Sequence, residues 1–62
     1  MTELQKRAMC MAVQLCLRDG MPITTSDISG AMIRQGMDPG QAATEAVELL
    51  EEARRIVEEE AA

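Results

Sequence analysis

No phenylalanine, tyrosine, tryptophan or histidine occurs among the 62 residues of this chain. Without aromatic rings, the side chains that usually dominate core and interface burial are missing, and aliphatic residues must do the packing. Six methionines supply volume but little shape specificity, because the thioether chain is flexible. Without histidine the commonest acid–base group is gone, and no set of residues suited to zinc remains. The chain has one lysine, Lys6, and its four glycines are scattered, so no glycine-rich phosphate loop is present. Thr24, Thr25, Ser26 and Ser29 are the only hydroxyl cluster, and helix capping accounts for it. The acidic residues lack the spacing of a calcium loop. These absences point away from catalysis, and no cofactor, metal or small-molecule substrate is expected.

Cysteine is scarce as well. Cys10 and Cys16 are six residues apart, which on a helix is about 9 Å along the axis and about 120° around it. That exceeds the reach of a disulfide within one chain, about 7 Å between Cα atoms. The two thiols read as small buried hydrophobes in a reducing compartment, or as one half of a disulfide between two copies. No apolar run approaches the roughly 20 residues a membrane span requires. The first 18 residues show no charged start, apolar run and small-residue cleavage site. A cytoplasmic protein with no membrane partner is expected.

A chain this short forms one small domain, 1–62, whose core supplies only about 3–5 kcal/mol unless a staple or a second chain assists. The net charge of −5 is unevenly placed. Lys6, Arg7, Arg18 and Arg34 against Glu3, Asp19 and Asp27 leave residues 1–37 at +1, and the remainder at −6. Such a balance disfavours nucleic acid as a partner, because that affinity comes largely from cations neutralising phosphates. Those four cations remain a candidate basic face.

Three helices are predicted, at about 3–19, 25–35 and 39–60, making an all-α protein. Thr2 with Gln5 and Thr24 with Asp27 have capping-box spacing, and Asp38, Pro39 and Gln41 open the third helix in the same manner. Gly20 and Gly36 supply the left-handed residues that end the first two helices, and Pro22 blocks any continuation. Gly30, inside the second helix, suggests a close helix crossing or simple tolerance. The short link between the second and third helices makes a hairpin or corner against which the N-terminal helix packs.

The third helix carries a broad apolar stripe through Ala42, Ala43, Ala46, Val47, Leu49, Leu50, Ala53, Ile56 and Val57, backed by charge. Glu45, Glu48, Glu51 and Glu52 on that charged side form a candidate acidic surface for a basic partner. Pairs four apart, such as Glu51 with Arg55, are expected to stabilise it. The acids at 58–60 sit at the negative end of the helix dipole, so 58–62 is expected to fray.

The first helix has two apolar stripes. Leu4, Ala8, Met11, Ala12 and Leu15 form one; Met9, Cys10, Val13, Cys16 and Leu17 form the other. The first is expected in the core with Ala46, Leu49, Leu50, Ala53 and Ile56 of the third helix and with Ile28 and Met32. The second, joined by Val47 and Val57, is expected to be an interface, with the fold completed by dimerisation or by a larger partner.

Thr24 to Val47 resembles a helix-turn-helix: a capped short helix, a glycine-led turn at Gly36, then a longer helix, with Ala31, Gly36 and Ala42 near the small-residue positions. The resemblance covers about 24 residues and implies DNA binding by the start of the third helix. There the chain offers Gln41 and Thr44 but then Glu45 and Glu48. Three functions follow, in order of preference: a non-enzymatic regulator, inhibitor or adaptor acting by protein contact as a homodimer; a helix-turn-helix-like DNA-binding regulator; and an acidic mimic of nucleic acid.

Overall fold

The computed structural model describes residues 1–62 and contains three helices and no strand. They are α1 (Glu3–Arg18), α2 (Thr25–Arg34) and α3 (Pro39–Ala61). Each boundary falls within one residue of its predicted position. At the start of α1 the Thr2 hydroxyl accepts from the Gln5 amide at 3.1 Å, and the Thr2 amide donates to Gln5 Oε1 at 2.8 Å. Thr24 and Asp27 make the same reciprocal pair at α2. Asp38 caps α3 alone: its Oδ2 accepts from the amides of Gly40 and Gln41, and the predicted return bond from the Gln41 side chain is not formed.

Both helix ends followed by glycine are Schellman turns. Gly20 and Gly36 have φ of +71° and +94°, a region that glycine enters without steric cost. Met21 donates its amide to the Cys16 carbonyl and Met37 donates to that of Met32, satisfying carbonyls left free by the helix end. The second turn does more than stop a helix. It folds Met37 back into the core, where it is buried.

α3 is the spine. α1 and α2 both pack on it and not on one another. The core is Val13 from α1, Ile28 and Met32 from α2, Met37 from the turn, and Ala42, Ala46, Leu49, Leu50 and Ala53 from α3. Alanine at three of those α3 positions removes side-chain bulk, so the neighbouring helices can approach closely. The result is a thin slab, 35 × 22 × 16 Å. No helix is long and apolar enough to cross a membrane.

The two stripes of α1 have exchanged their expected roles. Val13 is 3% exposed, and Met9, Cys10 and Leu17 pack against the core; Cys16 is half-buried. Leu4, Met11 and Leu15, expected inside, are 75%, 64% and 59% exposed, and Ala8 and Ala12 are exposed with them. The inward stripe is the one that contains Lys6, whose ammonium finds a carboxylate on α3 and so permits the burial. On α3, Ile56 and Val57 are half-buried and Val47 is exposed. The pairs expected four apart along α3 are not formed; both ion pairs of the protein run from α1 to α3. α3 stays helical through Ala61, and Arg18 holds Glu60 near its end.

Gly30 marks no close crossing. A methyl group built there meets only the Arg34 side chain of its own helix, at an ordinary 3.6 Å. Gly30→Ala is therefore expected to raise stability by about 0.5–1 kcal/mol through helix propensity and reduced unfolded-state entropy. A fall in the urea midpoint would show that the backbone needs glycine there.

Candidate functional site

α1 rises beside α3 in parallel, tied near both ends. Lys6 Nζ lies 2.7 Å from Glu45 Oε1 and Arg18 Nη2 lies 2.7 Å from Glu60 Oε1. The second pair is the more elaborate, since Arg18 Nε also donates to Glu60 Oε2 and Nη2 donates to Gln14. With α1 held at this angle, its outer surface is set. Leu4, Ala8, Met11 and Leu15 form a continuous apolar stripe facing away from the core. Leu4, Met11 and Leu15 are the three most exposed large apolar side chains of the protein.

On one side of the stripe an open groove of about 510 Å³ runs between α1 and α3. Its α1 wall includes Arg7, Met11 and Gln14, and its α3 wall includes Glu48, Glu52 and Ile56. Glu45 closes the groove floor with Lys6; its Oε2 is enclosed without a hydrogen-bond partner. The hydrogen bond from Lys6, followed by its charge, is what holds the Glu45 carboxyl below its ordinary value of 4.5, against partial burial, which pushes it up. The same hydrogen bond, followed by the negative charge of Glu45, raises Lys6 above its ordinary 10.5.

The sign of the linkage follows from those directions. A lowered carboxyl contributes stability above its ordinary value, lost as pH falls through the folded value. A raised ammonium contributes stability below its ordinary value, lost as pH rises through the folded value. The pair therefore stabilises across the range between 4.5 and 10.5. Lys6→Gln is expected to lower the urea midpoint at neutral pH and to flatten the acid limb of the stability profile. Equal midpoints for the two proteins at neutral pH would show that the pair contributes nothing.

The predicted charged surfaces are divided by this geometry. Of the four cations, Lys6 and Arg18 are committed to Glu45 and Glu60, and Arg34 sits on α2 over Gly30. Arg18 lies twelve residues beyond Lys6, about 18 Å along the helix. No single basic face forms. Of the acids, Glu45, Glu48 and Glu52 line the groove, Glu51 does not, and Glu45 is neutralised by Lys6. At the start of α3, Gln41 and Thr44 are exposed, and the Thr44 hydroxyl donates back to the Gly40 carbonyl.

Cys10 and Cys16 are free thiols, each half-buried, and Gln14 donates to Cys10 Sγ at 3.5 Å. Apart from the division between the stripes of α1, the buried residues absent from the expected core are Ala42, which the helix-turn-helix resemblance marks as a packed position, and Met37. The signal for Met37 was present in the spacing Met32–Gly36–Met37, which is that of a Schellman turn with its apolar contact. No protein-family model, no curated protein and no solved structure matches the chain.

Proposed function

We propose that this is a non-enzymatic protein that acts by contact, with the outward stripe of α1 as its working surface. The observation that carries this reading is the exposure of Leu4, Met11 and Leu15 on one face of a helix that is firmly anchored on its other face. Scattered exposed apolar residues are ordinary, but a contiguous row on one helix face marks a contact surface. Methionine and alanine within it suit a surface that adapts to another helix. A regulator, inhibitor or adaptor works in this way, by occupying a partner rather than converting a substrate. The absence of histidine and of any phosphate loop from the sequence supports the same reading.

Contact through α1 is favoured over duplex binding because two of the four cations needed for phosphates are already paired within the fold. It is favoured over acidic mimicry because Glu45 is neutralised and Glu51 stands apart from the other acids. A photo-reactive side chain in place of Met11 tests the proposal, in the pure protein and in an extract of the source cell. Protein adducts are expected from that position, with none from the same group in place of Glu58, an exposed residue on α3. Absence of adducts at Met11 in both settings would overturn it.

A further inference from the structure

The outward stripe of α1 has the spacing of a coiled-coil seam. Leu4, Ala8, Met11 and Leu15 follow at intervals of four, three and four residues, the alternation of d and a positions in a heptad. Val13 and Lys6 then fall at f, diametrically inward, in agreement with their contacts with the core and with Glu45. Resting on the proposal that this stripe is a contact surface, we infer that its occupant is α1 of a second copy, running antiparallel. Leu4 of each copy packs on Leu15 of the other, and Ala8 of each packs on Met11 of the other.

Three features of the chain specify this occupant and this direction. The first is volume. Antiparallel pairing places a small residue against a large one in both central layers and leucine against leucine in both outer layers, as interdigitating packing requires. Parallel pairing sets alanine on alanine and then methionine on methionine, a gap followed by a crowded layer.

The second is charge. The residues flanking the seam are Gln5 and Ala12 on one side and Arg7 and Gln14 on the other. No acid lies among them, so two copies of a protein of charge −5 meet through a face that carries none of its excess. Arg7 forms no ion pair within the chain, and neither do Glu48 and Glu52 across the same groove. Antiparallel seams bring like flanks together, so Arg7 of each copy lies beside Gln14 of the other, on the groove whose opposite wall carries Glu52. A parallel seam sends Arg7 to the opposite flank, beside Ala12, where no acid awaits it.

The third is area. Covering the stripe and its flanks on both copies removes on the order of 1,000–1,200 Å² from water, at the lower bound for specific interfaces. A slab 16 Å thick gains a second layer by this pairing, the arrangement around which helical cores are built.

The test uses the unmodified chain and two reporters. Sedimentation of the unmodified protein is expected to show twice the chain mass, falling to the single mass in Leu15→Glu. In a Cys10→Ala/Cys16→Ala background, Leu4→Cys and Leu15→Cys are oxidised separately and as an equal mixture. The mixture is expected to form a cross-linked heterodimer, about tenfold more than either variant alone, because positions 4 and 4 of an antiparallel pair lie about 16 Å apart along the axis. Self-linking of each variant alone would overturn the direction. A single mass for the unmodified chain at all concentrations would overturn the second copy, whatever the background variants do. If that monomer still forms Met11 photo-adducts with another protein, the contact reading stands without the second copy; with no adducts, both fall.

Discussion

Met32→Ala is expected to leave most of the protein unfolded at 25 °C. Met32 is 1% exposed, the largest side chain in the protein to be so completely enclosed. It lies where α2 meets α3, with the Met37 turn folded back over its carbonyl. Truncating a buried methionine to alanine costs about 2–5 kcal/mol, because the cavity collapses only in part. A core drawn from a chain of this length supplies about 3–5 kcal/mol in total. The loss is thus comparable with the whole stability, which a larger domain would absorb. Circular dichroism at 222 nm, with a urea titration of both proteins, measures the effect. Association adds stability that depends on concentration, so raising the protein concentration should restore part of the helical signal. A variant that keeps its helicity and loses less than about 1 kcal/mol would show that the site refills from flexible neighbours, as methionine-rich packing permits.

The helices were legible from the sequence because their ends are set by local chemistry. Thr2, Thr24 and Asp38 bond to amides two or three residues ahead, and Gly20 and Gly36 adopt a backbone that other residues avoid. None of this depends on distant parts of the chain. The inward stripe of α3 was legible for a related reason: Ala46, Leu49, Leu50 and Ala53 are flanked by acids, which leaves one apolar face to bury.

The orientation of α1 was not legible, and one residue shows why. Lys6 lies within about 20° of Val13 on the helical wheel, seven residues away. A lysine at that angle marks a solvated face when α1 is considered alone, but Arg18 stands equally close to Met11 on the opposite stripe, so charge along α1 does not separate the two. The resolution is 39 residues further on, where Glu45 meets the ammonium at 2.7 Å. With its charge satisfied, the Lys6 face turns inward and carries Val13 and Leu17 with it. Periodicity measures how wide an apolar face is. When a short helix has two such faces, the long-range ion pair decides which of them is covered.

A pair of substitutions within one turn of α1 separates the inside from the outside. Val13→Glu is expected to unfold the chain, because it places a carboxylate at a core position with no cation nearby other than Lys6, which Glu45 already occupies. Burying an uncompensated charge costs several kcal/mol, at least the whole stability of so small a domain. Leu15→Glu sits two residues later on the other face, 59% exposed. A surface change of this kind alters the stability of the single chain by within about 0.5 kcal/mol. Its expected consequence is elsewhere: helicity is retained, and association through the stripe is lost. Circular dichroism and sedimentation of the two variants side by side separate loss of fold from loss of association. If Val13→Glu stayed folded and lost association while Leu15→Glu unfolded, α1 would be turned by half a revolution from the orientation described here. The Lys6–Glu45 pair makes that turn costly, since rotating α1 to bury Leu15 would carry the Lys6 ammonium away from its carboxylate and into water.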